Sequence, residues 1–223
     1  MNKESNNNIF NNMENIQVLG PYNSGTNLLV NMLSSNLNKD INLTNEGSTI
    51  VWKHIINKSK LRTIIDKNPN TLFIVVYKPL LNWIKSMIKR KYMLIWDKTI
   101  YNECEFKNRK FNNIAHLYNS YYRMYRKFCK RFPNTIFVSY YDLIKKDTVL
   151  QYINEKINKF NLFVKNIDGF YNALEQPSKK MSGKPVSNWR EALLKKNENP
   201  FNNEEIFFIN KEENQNVRYF FTN

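Results

Sequence analysis

Apolar positions along the 223-residue chain fall into two alternating periodicities. Ile16 to Leu19 is a short apolar run that stops at Gly20. Leu28, Leu29, Met32, Leu33 and Leu37 then recur at helical spacing, so this region predicts strand, loop and helix. Ser48 to Trp52 is a second strand candidate, followed by a short helix marked by Leu61, Ile64 and Ile65 and a turn at Asn68-Pro69-Asn70. Thr71 to Tyr77, "TLFIVVY", is the strongest strand: continuous, β-branched and aromatic, as expected where helices cover both faces. Pro79 breaks it, and "LNWIKSMIKRKY" continues as a helix.

Residues 93–113 lack a clear period and predict an excursion outside the sheet. Helical spacing returns from Ile114 to Phe132, a buried strand follows over Asn134 to Tyr140, and an amphipathic helix covers Val149 to Phe160. Alternation of strands and helices from residue 15 to about 160 predicts a single α/β domain over residues 15–223, with a central, mostly parallel sheet covered on both faces. The pattern weakens beyond residue 165, where Pro177, Gly183 and Pro185 mark a lysine-bearing loop over about 177–191, and a last helix is expected from Asn203 to about Asn214. The Asn-rich residues 1–14 predict a disordered leader, with neither the apolar core of a signal peptide nor an anchor.

Composition narrows the function classes. The 34 Lys and Arg against 19 Asp and Glu give +15, spread without a tail or an arginine-rich run. Such a balance suits an anionic partner, but joint enrichment in Asn, Ile and Lys points to an AT-rich coding sequence as the larger contributor to the charge. Cys104 and Cys129 form no disulfide framework and no CxxC pair, which fits an intracellular, cytoplasmic setting. No apolar run reaches the ~20 residues of a membrane span.

The chemistry sits in "GPYNSGTNLL", residues 20–29. Gly20 and Gly25 have the spacing of a phosphate-cradling loop, with backbone N–H groups of Ser24, Gly25, Thr26 and Asn27 at a helix N-terminus and hydroxyls on Ser24 and Thr26 as further donors. A nucleoside-triphosphate loop would carry Lys-Ser/Thr where Thr26-Asn27 stands, and Tyr77-Lys78 ends the central strand in place of a metal-binding acid, so ATP hydrolysis is disfavoured.

This segment resembles the 5′-phosphosulfate loop of the P-loop sulfotransferases, which move a sulfuryl group from 3′-phosphoadenosine 5′-phosphosulfate (PAPS) to a hydroxyl or amine without metal. Further segments are similar to the family's in the same order. "VYKPLLNWIKSMIKRKY" resembles the second nucleotide motif, placing Lys78 and Ser86 at the 3′-phosphate; "FVSYYDLI" resembles the following aromatic-acidic segment; "SGKPVSNWREAL" resembles the loop that closes over the nucleotide, with Lys184 and Arg190 as contacts and Lys179 and Lys180 as weaker ones. "VWKHI" matches the lysine and histidine at the end of the second strand, with His54 implied as general base and Lys53 as a catalytic cation. The resemblance spans about residues 15–195 and implies a P-loop NTPase-like sulfotransferase fold. It also implies PAPS as donor and adenosine 3′,5′-bisphosphate as product, with Tyr22, Asn23, Ser24, Gly25, Thr26 and Asn27 on the phosphosulfate.

Departures from the family pattern are specific. Asn23 stands where the family commonly has Lys or Arg, Lys78 replaces an arginine and offers no bidentate fork, and Lys53 and His54 are adjacent, so on a strand they would point to opposite faces. Glu46 is an alternative base; His116, Trp52 and Trp83 read as structural. A small-molecule or glycan acceptor is expected, its identity and the oligomeric state being illegible. The competing readings are a kinase with a degenerate P-loop and a non-catalytic basic nucleic-acid- or glycan-binding protein, nucleic acid being disfavoured because no recognition motif is visible.

Overall fold

The computed structural model describes residues 13–44, 50–90, 92–175 and 200–222. Four parallel strands form the central sheet: β1 (Asn15–Leu19), β2 (Asn42–Thr44), β3 (Thr71–Tyr77) and β6 (Thr135–Ser139), in the order β2-β1-β3-β6. Register runs from Asn15↔Thr71 to Leu19↔Val75 between β1 and β3, and from Phe73↔Thr135 to Tyr77↔Ser139 between β3 and β6. The helices are α1 (Thr26–Leu33), α2 (Lys58–Lys67), α3 (Leu80–Lys89), α4 (Ile114–Arg131), α5 (Tyr140–Leu143), α6 (Val149–Ile157), α7 (Ile167–Glu175), α8 (Asn203–Glu212) and α9 (Gln215–Thr222).

Strand β3 shows why its sequence has no alternation. All seven residues are buried, and its two faces feed different cores. Phe73, Val75 and Tyr77 join Leu80 and Trp83 of α3 and the apolar face of α4. Leu72, Ile74 and Val76 join Leu28, Leu29 and Met32 of α1 and Ile153 and Ile157 of α6. A period-2 strand between two helical layers must be apolar at every position. Among the described residues, no helix is long and apolar enough to cross a membrane.

Several expectations are corrected. The second strand is not Ser48–Trp52: Ile50 to Trp52 is irregular, Ser48 and Thr49 lie outside the described residues, and Asn42–Thr44 takes the edge position beside β1. The β-branched "STIVW" run carries strand propensity, but Val51 N–H instead reaches the Gln17 side-chain oxygen at 3.4 Å. The region is pinned across the end of β1, Gly20 N–H donating to the Lys53 carbonyl at 3.0 Å. Met13 and Glu14, the end of the segment expected as leader, belong to the folded domain. Met13 is buried, and Glu14 N–H donates to Asn70 C=O at 3.0 Å, so the sheet's hydrogen bonding begins there. Residues 1–12 lie outside the described residues. Helices α7 and α9 were not legible; α7 contributes Phe170 and Leu174 to the α1 core, and α9 stacks Phe221 on Tyr77 with ring centroids 4.9 Å apart. Residues 93–113 carry a separate two-stranded hairpin, β4 (Cys104–Phe106) and β5 (Arg109–Phe111).

Candidate functional site

The strand order reverses between β1 and β3: the chain leaves β1 for β2 on one side, then crosses back to β3 on the other. Open α/β sheets bind ligands outside the carboxyl ends at such a reversal. The loops leaving β1 (Gly20 to Gly25) and β3 (Lys78 and Pro79) flank this point, and their helices α1 and α3 diverge into opposite cores.

The first loop is shaped by backbone demands. Gly25 has φ 98°, and a Cβ there would meet the Tyr140 ring at 2.5 Å. A side chain at Gly20 would collide with the Ser24 hydroxyl and come within 3.2 Å of the Val76 carbonyl. Asn23 is itself left-handed, φ 58°, a conformation that Asn tolerates better than most residues. Its side-chain amide donates to the carbonyls of Ser86 (3.2 Å) and Arg90 (2.9 Å) in and after α3, fastening the first loop to the second. Position 23 therefore has a structural task, which accounts for an amide where the family resemblance implies a cation. Ser24 is also drawn inward: its hydroxyl is buried and donates to Pro21 C=O at 2.8 Å, so it adds no outward donor, contrary to expectation. What remains for an anion is the N-terminus of α1, which no side chain among the described residues caps and which has no acidic residue in its first turn. Replacing Gly25 with Ala should cost about 1 to 2 kcal/mol from the backbone alone, before the Tyr140 clash; thermal unfolding shifted by less than a degree would contradict the strain.

Lys78 and Ser86 are in contact. The Lys78 ammonium is buried and donates to Ser86 Oγ at 2.8 Å and Asn23 C=O at 3.1 Å, and it lies 4.3 Å from the Tyr140 ring centroid. Its partners among the described residues are all neutral, and burial lowers its pKa to about 7, with repulsion from Lys89 adding to the effect. The backbone at this point is held by tyrosines of α4: Lys78 N–H donates to Tyr122 Oη at 3.1 Å, and Tyr118 Oη–H donates to Lys78 C=O at 3.0 Å. Trp83, core as expected, donates its indole N–H to the Tyr22 carbonyl at 2.6 Å and so also positions the first loop. Tyr140, named in the sequence only within a motif, lies under both Gly25 and Lys78. A bulky aromatic after a buried strand was the only signal for it.

Lys53 and His54 lie in a turn, Ile55 N–H donating to Trp52 C=O at 3.0 Å, so strand alternation does not separate them. Both approach the loop. Lys53 Nζ donates to Asn27 Oδ1 at 2.6 Å, at the start of α1, and burial lowers its pKa. His54 is buried, and its Nδ1 lies 2.6 Å from the Gly20 carbonyl. A carbonyl only accepts, so Nδ1 carries the hydrogen and Nε2 carries the lone pair of the neutral ring. Burial first, then the Lys53 and Lys107 charges, lower the His54 pKa to about 4 against the opposing Gly20 hydrogen bond. The imidazole packs on Tyr22 (centroids 4.1 Å) and edge-on to Trp52 (5.4 Å). His116 is structural, receiving the Asn112 N–H at 3.4 Å beside the Phe111 ring. Glu46, Lys179, Lys180, Lys184 and Arg190 lie outside the described residues, as does the nucleotide-covering loop expected over 177–191.

Comparison of the chain with protein-family models, with curated proteins and with solved structures finds no match.

The residues present fit two anionic groups. A buried ammonium with only neutral partners is poorly compensated, and an anion beside Lys78 and Ser86 would complete it. The uncapped α1 terminus with Lys53 beside Asn27 offers a second such place.

Proposed function

We propose that the chain is a sulfotransferase that uses PAPS and transfers the sulfuryl group to a hydroxyl or amine acceptor, within a P-loop sulfotransferase-type fold. The observation that carries this reading is the Lys78–Ser86 pair at 2.8 Å, on the β3 side of the strand-order reversal, facing an uncapped phosphate-type loop on the β1 side. On this reading the 3′-phosphate lies against the β3 loop and the phosphosulfate against the β1 loop.

Each residue then has a defined task. Lys78 and Ser86 hold the 3′-phosphate; the Thr26 and Asn27 backbone with Lys53 holds the phosphosulfate end, Lys53 replacing the charge that position 23 lacks. Gly20 and Gly25 keep the backbone close to it. PAPS supplies the sulfuryl group together with a phosphate leaving group. His54 Nε2 accepts the acceptor's proton, while Gly20 C=O holds the ring in the required tautomer. Lys53 stabilises negative charge developing toward the leaving oxygen.

Isothermal titration calorimetry checks the donor assignment. Adenosine 3′,5′-bisphosphate and PAPS should bind with a 1:1 stoichiometry in the presence of EDTA, and magnesium-ATP should not compete. Magnesium-dependent ATP binding with no response to the bisphosphate would replace this reading by that of a kinase.

A further inference from the structure

The described excursion contributes a cation that the donor site does not use. Hairpin β4–β5 turns at Lys107 and Asn108, both left-handed (φ 52° and 57°), a geometry that matches strand twist and fixes the tip's direction. Phe106, just before the tip, is buried and stacks on Trp52 with centroids 6.2 Å apart, and it meets Tyr22 edge-on at 5.8 Å. The tip is thus anchored on the aromatic layer that surrounds His54. Lys107 Nζ lies 3.9 Å from the Trp52 ring centroid, and Trp52 in turn is edge-on to His54. The Lys107 ammonium and the His54 imidazole thus both border the Trp52 indole.

A cation there works against a general base, because it disfavours the imidazolium that forms on proton transfer. Lys53 is accounted for by the donor loop. Lys107 arrives from the opposite direction, on a separate element, and makes no ion pair among the described residues. Arg109 shares the hairpin face of Phe106 and reaches the Ile56 carbonyl at 3.4 Å, adding positive charge on the same side. The hairpin's carboxylate, Glu105, pairs in register with Lys110 on the other face. The neighbouring segment exposes Tyr92, Met93 and Ile95, with Tyr92 stacked on Tyr22 at 4.7 Å. An acceptor reaching His54 from this side meets aromatic faces and an excess of positive charge.

We propose that the acceptor carries an anionic group close to its reacting hydroxyl and that Lys107 is the residue that selects for it. This rests on the sulfotransferase reading. An acceptor carboxylate, phosphate or sulfate beside Lys107 would offset the penalty that this ammonium imposes on His54, so the cation that weakens the empty site becomes compatible with proton transfer once the acceptor is bound.

Three phenols with one ring and different charge test it at saturating PAPS: 3-(4-hydroxyphenyl)propionate, 4-ethylphenol and tyramine. The wild-type protein should favour the acid over the amine in kcat/KM by about tenfold or more, as a single short-range charge interaction in partly screened surroundings supplies. Lys107→Gln should bring all three within about twofold, and Lys107→Glu should turn the preference toward tyramine. Bisphosphate affinity should stay unchanged in both variants. Loss of bisphosphate binding in the wild-type protein sinks the donor reading and this inference together. Intact bisphosphate binding overturns the acceptor inference alone if it comes with equal use of acid and amine, with a uniform loss on Lys107→Gln, or with no turnover of any of the three.

Discussion

Replacing His54 by Asn should reduce sulfuryl transfer by a factor of about 100 to 10,000, the range of a positioned general base. Bisphosphate affinity should change by less than about threefold, since the His54 ring is not one of the phosphate contacts assigned above. Asn is chosen because its amide N–H can still donate to the Gly20 carbonyl, which His54 Nδ1 reaches at 2.6 Å, while it lacks a basic lone pair. Loop shape and base chemistry are thereby separated. With a pKa lowered to about 4, the ring is neutral, and so able to accept a proton, at pH 6 to 9. The acid limb of kcat/KM should therefore lie well below the ordinary histidine range. Binding of the anionic donor stabilises the imidazolium and draws the limb upward toward that range. Steady-state kinetics as a function of pH, with bisphosphate titrations on the same samples, check both statements. Undiminished turnover in the Asn variant removes His54 from the base role.

The second large effect concerns Lys78. Its ammonium is buried against neutral groups, which favours the uncharged amine and sets the pKa to about 7. An anion favours the charged form, so at pH 8 to 9 bisphosphate binding should take up close to one proton at Lys78, and affinity should fall as pH rises above 7. The fall approaches tenfold per pH unit where a full proton is taken up, since 1.4 kcal/mol is a factor of ten. Lys78→Met should weaken binding at least tenfold at pH 6.5, by loss of a charge-assisted hydrogen bond worth about 1.5 to 3 kcal/mol. It should also abolish the proton uptake assigned to this group. Lys78→Arg, which stays charged, should flatten the decline between pH 7 and 9. Lys53, whose pKa burial also lowers, titrates independently of this substitution, so the difference between wild type and the Arg variant isolates Lys78. Calorimetry in two buffers of different protonation enthalpy measures the uptake directly. A wild-type affinity that is flat from pH 7 to 9 contradicts a depressed Lys78.

These effects depend on features of unequal legibility. The pairing of Lys78 with Ser86 was implied by the family resemblance alone; local pattern supplied only the buried strand that ends before Lys78 and the helix that carries Ser86. The tasks of Asn23 and Ser24 were not. Both are polar residues in a glycine loop, and only their three-dimensional neighbours, the carbonyls of Ser86, Arg90 and Pro21, turn them from ligand donors into struts. The adjacency of Lys53 and His54 looked like a conflict on the assumption of a strand. The turn at residues 52–55 removes it, and that turn is fixed by a bond to Gly20, 33 residues away. Lys107 gave no signal at all, being one of many lysines until the hairpin set it over Trp52.

The sequence by itself determined the buried strands β1, β3 and β6, the amphipathic helices α1 to α4, α6 and α8, and the glycine loop that interrupts them, because hydrophobic periodicity and backbone tolerance are local properties. The tertiary structure alone decided the strand order, the edge strand at Asn42–Thr44, the Tyr140 floor and the downward pKa shifts of Lys78 and His54. Those depend on desolvation and on contacts between residues far apart in the chain, and burial is a property of the packed molecule that no local pattern encodes.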